Sequence, residues 1–282
     1  MEIGIGLPNA IQDIDGDSLL EFARRADARG FSSLGTIDRL VYPNFESLIS
    51  LAAVAAVTER IRLATTVLLG PLRSNAVVVA KECATLDNLS GGRFWLGIGL
   101  GGREDDYEIS GIPTKGRGRA LDRQLERLKQ IWEGDEVGPK PTTPGGPQVM
   151  LGGVADASFK RAASYGAGWM LGGGTPEMFA DGARKVDEAW KEAGRTDKPR
   201  KASLAYFSLG PDAKAHAERN IGHYYAWLGE IGDQIVAGAA TTPEMVRSYV
   251  EGFEHAGCDE LILFPASKHA EQVDLLAEAV GK

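Results

Sequence analysis

The chain has 282 residues, 43% of them hydrophobic and 25% charged, and carries a formal net charge of −8. That composition is ordinary for a soluble globular domain and long enough for one α/β barrel. The acidic balance argues against nonspecific binding to nucleic acid or an anionic membrane.

In chain order, residues 3–7 read as a first strand. Residues 17–29 follow as a helix with Leu19, Leu20, Phe22, Ala23 and Ala26 on one apolar face, stopped by Gly30. Strand 32–37 and helix 45–58 come next, then the β-branched strand 61–69 with helix 75–89, and strand 93–98. A polar, glycine-rich stretch over 99–118 precedes helix 119–133, and 134–147 reads as loop from its prolines and glycines. Strand–helix pairs resume at 148–151 with 155–165, 169–171 with 176–193, and 202–209 with 213–228. Helix 243–256, strand 260–264 and helix 270–280 close the chain. Strict alternation of this kind implies parallel strands joined by right-handed crossovers. Eight strands with no shift in composition point to a single-domain (β/α)8 TIM barrel over 1–282, the doubly wound open sheet being the alternative.

Cys83 and Cys258 are the two cysteines and make no disulfide framework, which suits a reducing cytoplasm. No basic leader with a long apolar run opens the sequence, and the longest apolar-rich segment, 48–57, is about half a membrane span.

In a TIM barrel the chemistry sits on the loops that follow the strands. Two of those loops are rich in glycine. Residues 97–102, Gly-Ile-Gly-Leu-Gly-Gly, match a dinucleotide fingerprint by composition only, since no helix opens directly after them. These glycines either let a planar cofactor approach the backbone or relieve crowding at the barrel mouth. Gly152-Gly153 precede a helix whose free amides and dipole favour a phosphate, or form a plain turn. Asp38-Arg39 end the second strand and face either the site or solvent. The run Arg103-Glu104-Asp105-Asp106-Tyr107 is either a solvated loop or part of a lid. His216, His223, His255 and His269 form no metal-ligating pair, so no metal is expected. With no nucleophile motif, phosphate loop or Cys beside His, the chemistry is left to a cofactor.

The stretches TERIRLATTVL, PLRSNAVVVAKECATLDNLSGGRFWLGIGLGGREDDY, AASYGAGW and GCDELILFPAS together resemble the bacterial luciferase-like monooxygenase family over nearly the whole chain. The resemblance implies a (β/α)8 barrel that binds a flavin-type cofactor, reduced FMN or the deazaflavin coenzyme F420. It implies a cis peptide at Thr66-Val67 behind the ring, Gly99, Leu100, Gly101 and Gly102 beside it, and Gly152, Gly153, Val154 and Ala155 at the phosphate. Asp38 belongs to the same cofactor set, and Arg39 is the candidate catalytic position.

Departures matter as well. Asp38-Arg39 stands where deazaflavin dehydrogenases of the family often have Asp-His, and Gly102 where some carry a catalytic Glu. Leu100 replaces the FMN-phosphate arginine of light-emitting luciferases, which favours the deazaflavin. Gly166-Ala167-Gly168 replaces the common GDG. The implied partners are a small organic substrate, a separate flavin or deazaflavin reductase and a second copy of the chain, with no nucleic acid and no membrane. In helices 45–58 and 75–89, Leu48, Ile49, Leu51, Ala52, Val54 and Ala55 cannot all face a barrel, which suggests a homodimer interface. Residues 101–118 are expected to form a lid, mobile until ligand binds, with Arg39 offering a fixed positive charge to the reduced cofactor or an acidic substrate group. The missing His and Glu leave a cofactor-binding barrel without turnover as the alternative, and a flavin-independent barrel enzyme acting on a phosphorylated metabolite is the third.

Overall fold

The strands β1 (Glu2–Gly6), β2 (Ser33–Thr36), β3 (Arg62–Thr65), β4 (Leu68–Leu69), β5 (Phe94–Gly99), β6 (Gln148–Gly152), β7 (Gly168–Leu171), β8 (Arg200–Phe207) and β9 (Glu260–Pro265) form one parallel sheet in the computed structural model, which describes residues 1–282. The sheet runs β3-β2-β1-β9-β8-β7-β6-β5-β4 and closes on itself because β3 and β4 both pair with β5. β3 and β4 are two halves of one barrel strand, parted at Thr66-Val67, whose peptide bond is cis. Nine segments therefore make the eight strands of a (β/α)8 barrel, and the open-sheet alternative falls away.

Around it lie α1 (Gly16–Ala28), α2 (Ser47–Ala55), α3 (Ala76–Leu89), α4 (Glu104–Ile109), α5 (Arg117–Glu133), α6 (Asp156–Tyr165), α7 (Pro176–Glu192), α8 (Ala213–His216), α9 (Gly222–Tyr225), α10 (Glu230–Ala237), α11 (Pro243–His255) and α12 (Glu271–Val280). Local chemistry sets their ends. The Asp15 carboxylate accepts from the Ser18 amide at 2.8 Å to cap α1, while Thr175 and Thr242 cap α7 and α11, each followed by proline in the first turn. No helix is long and apolar enough to cross a membrane.

Both faces of the strands are buried. Outward residues such as Leu34, Leu63, Leu96 and Leu261 join the helices in one large core, and a second cluster of Met150, Met170, Ala202, Leu204, Ile262 and Phe264 fills the barrel interior. At the N-terminal end Glu260 accepts from Arg62 and Arg200 at 2.9 Å each, and from the Ser32 and Ser33 hydroxyls at 2.6 and 2.7 Å. Both guanidinium groups lie over the Trp95 ring, at 4.4 and 5.2 Å from its centroid. This is the floor of the barrel, and it directs attention to the other end.

Two expectations are corrected. The stretch 99–118 is not plain loop: α4 lies within it, its first turn carrying Glu104, Asp105 and Asp106 at the positive end of the helix dipole. The helix expected over 213–228 is broken into α8, a π-helical turn at Ala217–Ile221, α9 and a short 3-10 turn, with α10 following. The six apolar residues of α2 do not all face the barrel, as expected: Leu48, Leu51, Val54 and Ala55 are buried, Ala52 is half-buried and Ile49 is 72% exposed. The apolar surface on this side is shared by Leu40, Val41, Phe45, Ile49, Val77 and Val78.

Candidate active site

The C-terminal mouth is organised by the bulge between β3 and β4. Val67 is half-buried there and faces Gly99 and Gly152 from the neighbouring strands. A side chain at Gly97 would put its Cβ 1.9 Å from the Thr65 carbonyl oxygen. At Gly99 or Gly152 the Cβ would stand 2.9 Å from a Val67 methyl. These glycines thus make room for the protein's own bulge, a reason that glycine counting alone does not supply. At Gly102 a Cβ would meet nothing within 4 Å, so that flank is open. Gly153 has φ of +129° and turns the chain into α6 with Ser158 close by.

Asp38 braces the bulge. The Leu69 amide donates to its Oδ2 at 2.8 Å and Arg73 Nη2 to its Oδ1 at 3.0 Å, Arg73 also reaching Glu46 at 2.6 Å. Burial pushes the Asp38 carboxyl above its ordinary range against the pull of Arg73. Thr66 is held as well, its hydroxyl donating to the Thr36 carbonyl at 3.0 Å.

Arg39 is committed in a different way. Its Nε donates to Asp106, and its Nη2 reaches Asp105 Oδ2 at 3.0 Å, the guanidinium being 3% exposed. Asp106 is fully buried and accepts as well from the Leu40 and Val41 amides at 3.0 and 2.9 Å. Arg103 joins Asp105 at 2.8 Å, donates to the Tyr224 carbonyl at 3.3 Å and stacks 4.5 Å from the Trp227 centroid. Its hydrogen bond holds the Asp105 carboxyl below the usual carboxylate range, against slight desolvation. Three segments are thereby strapped together: the end of β2, α4, and the turns around α9. Arg39 therefore does not offer its charge to a cofactor or an acidic substrate group as expected, because two carboxylates from the expected lid already take it up.

Beside the strap stands an aromatic wall. Tyr42 Oη and His223 Nδ1 are 2.9 Å apart, Tyr206 and Tyr225 share a hydrogen bond of 2.9 Å, and Tyr224 packs edge-on against both Tyr42 and Tyr225. Burial raises the Tyr206, Tyr224 and Tyr225 hydroxyls, which keeps them neutral. Tyr206, Tyr224, Ile37, Leu7, Phe264 and Asn220 line a narrow, half-open cleft. These residues lie far apart in sequence, and the only sequence trace of the wall is the run His223-Tyr224-Tyr225.

The donor set fits a flavin-type cofactor. Val67 offers an apolar step at the mouth, and Gly102 leaves its flank open. The first turn of α6 has no side-chain cap; the Ser158 amide bonds the Ala155 carbonyl at 2.7 Å, which leaves the Asp156 and Ala157 amides for a phosphate, and Val154 ahead of them is 65% exposed. Leu100 packs against the core and presents no cation.

Comparison with known proteins agrees with this picture. The model of a family described as luciferase-like monooxygenase matches residues 1–260. An uncharacterized protein of Mycobacterium tuberculosis is 32% identical over 213 residues, 63% of this chain and 73% of the relative. Pyrimidine monooxygenase RutA of Variovorax paradoxus is 26% identical over 233 residues, covering 71% of this chain and 60% of the relative. Among solved structures, an F420-dependent secondary alcohol dehydrogenase in complex with an F420-acetone adduct superposes with a TM-score of 0.82 at 20% identity, over 99% of this chain and 98% of that one. The oxygenating constituent of 3,6-diketocamphane monooxygenase of Pseudomonas putida, in complex with FMN, gives 0.75 at 17% identity over 99% and 96%. At such identities the superpositions speak for the fold.

Proposed function

We propose, from the premise that the chain belongs to the luciferase-like monooxygenase family, that it is an oxidoreductase taking coenzyme F420 or reduced FMN to a small organic substrate. The observation that carries this reading is the joint presence, on one barrel mouth, of the Val67 step, the open side of Gly102 and the uncapped amides of α6. Leu100, apolar and packed inward, favours the deazaflavin of the two.

When bound, the cofactor supplies the redox chemistry: reduced FMN reacts with oxygen, whereas the deazaflavin carries hydride. The chain's own residues do the rest. Val67 would back the ring, Asp38 and Thr66 hold that bulge in place, and the Asp156 and Ala157 amides would meet the phosphate. The strap of Arg39, Asp105 and Asp106 would hold α4 at the edge of the mouth. The neutral tyrosine hydroxyls stand on the substrate side as donors.

Fluorescence titration with F420, FMN and FMNH2 tests the reading. Micromolar binding of F420 or FMNH2 is expected, and no binding of any of the three removes it. The alternative, binding without turnover, gains from the lack of any Asp, Glu, His, Lys or Arg in the cleft lining. Turnover assays with loaded protein separate the two. A homodimer through Leu40, Phe45, Ile49, Val77 and Val78 belongs to the same proposal. Light scattering is expected to report a dimer, and a monomer at micromolar concentration counts against it. A separate reductase that regenerates the reduced cofactor completes the set of partners.

A further inference from the structure

The reading above leaves the substrate open, and one buried atom narrows it. Between α8 and α9, Ala217–Ile221 forms a π-helical turn, a device that shifts side-chain register and recurs at functional sites. It delivers Asn220 to the wall of the cleft. Asn220 is 6% exposed, and its Nδ2 donates to the Ala266 carbonyl at 2.8 Å, which fixes the orientation of the amide. Oδ1 is left buried with no partner in the protein. Buried acceptors are almost always satisfied, so an exception on a cleft wall points to a missing partner.

The surroundings say what kind of partner. The cleft is walled by aliphatic groups, Phe264 and the rings of Tyr206 and Tyr224, with no ionisable acid or base besides the two phenols. A charged ligand would lose its hydration there and find no counter-ion. The lining of the cleft includes none of Val67, 99–102 or 152–155, although Val67 packs against the cluster that holds Phe264, so the cleft adjoins the expected cofactor seat.

We propose that Asn220 is a specificity-determining residue whose Oδ1 accepts one hydrogen bond from an O–H or N–H group of an uncharged, largely apolar substrate. This rests on the oxidoreductase reading and deepens it by naming the substrate class.

Phenol, anisole and benzoate serve as probes, matched in ring and differing in donor and charge. In NMR titrations of the full chain, phenol is expected to shift the Asn220 side-chain amide. It is also expected to bind about tenfold more tightly than anisole, the ratio one buried hydrogen bond supports. Benzoate should not bind in the cleft. Asn220→Leu, similar in volume and lacking the acceptor, should bring the phenol-to-anisole ratio to about one. Equal affinities in the unaltered protein, tighter binding of benzoate, or a ratio that survives in Asn220→Leu each overturns the proposal. The first two need no variant, so misfolding of Asn220→Leu does not shelter it. Displacement of phenol from the cleft by F420 or FMN also overturns it, by making the cleft part of the cofactor seat. Cofactor titration of the same samples separates the two readings: cofactor binding with a ratio of one sinks the substrate assignment alone. A tenfold ratio without cofactor binding supports Asn220 as the donor-selecting residue and sinks the oxidoreductase reading.

Discussion

The two ends of the barrel use the same chemistry to opposite effect. At the floor, Arg62 and Arg200 meet Glu2 and Glu260 over the face of Trp95; at the mouth, Arg39 and Arg103 meet Asp105 and Asp106 beside Tyr42, Tyr224 and Trp227. Every floor charge stands on a strand, held in register by ladders such as Glu2 to Glu260 and Ala202 to Glu260. The mouth carboxylates stand on α4, a helix of six residues. When a partner is lost at the floor, the remaining charges cannot leave. At the mouth, α4 can undock and carry its carboxylates into water. The floor is therefore a seal and the mouth a fastening, and that difference suits a barrel that must admit ligands at one end only.

The largest expected effect is at the floor. Glu260→Ala removes a carboxylate that is only 4% exposed and takes hydrogen bonds from Arg62, Arg200, Ser32 and Ser33, leaving the arginines with Glu2 alone, and should lower stability in urea by about 3 kcal/mol. Cofactor affinity should not change. Next comes Gly97→Ala, whose methyl runs into the Thr65 carbonyl: a loss of about 1–3 kcal/mol or more is expected, against less than about 0.5 kcal/mol for Gly102→Ala in open space. Equal effects at the two glycines would remove the argument that Gly97 accommodates the bulge.

Arg39→Ala should cost less than Glu260→Ala, about 1–2 kcal/mol globally, because undocking of α4 caps the penalty on Asp106. Its signature is local: hydrogen exchange at 104–109 should accelerate well beyond that of the barrel strands. A global loss equal to that of Glu260→Ala, with exchange at 104–109 unchanged, would erase the distinction between seal and fastening. The smallest effect is acid-dependent. Asp105 has a lowered folded value, so its contribution is complete above the ordinary carboxylate range and fades as pH falls through the folded value. Below about pH 4 the strap should loosen, by less than about 1 kcal/mol given the partial exposure of Asp105. Fluorescence of Trp227, against a Trp227→Phe control, follows it.

Strand–helix alternation made the barrel legible before any coordinates, because a period of two against a period near 3.6 is a local property. The break at Thr66-Val67 was legible only through family resemblance. What stayed hidden depends on contacts between distant segments. Asp105 and Asp106 read as part of a solvated loop or a lid, without a partner, because Arg39 lies 66 and 67 residues earlier. Gly97 and Gly99 read either as room for a planar cofactor or as relief of crowding, and Gly152 as a phosphate turn or a plain one; the nearness of Val67 and the Thr65 carbonyl favours crowding, which no local pattern could decide. The continuous helical pattern over 213–228 concealed the π-turn, since shifting one backbone bond leaves hydrophobic spacing nearly intact. Asn220 accordingly drew no notice.

The seat of the cofactor is the central claim, and hydrogen exchange of the full chain with and without saturating F420 or FMNH2 tests it most directly. Slower exchange is predicted at 67–69, 99–103 and 153–157, with the floor amides around Arg62, Trp95, Arg200 and Glu260 unchanged. Binding that protects none of those mouth segments, or that protects the floor instead, would contradict the account.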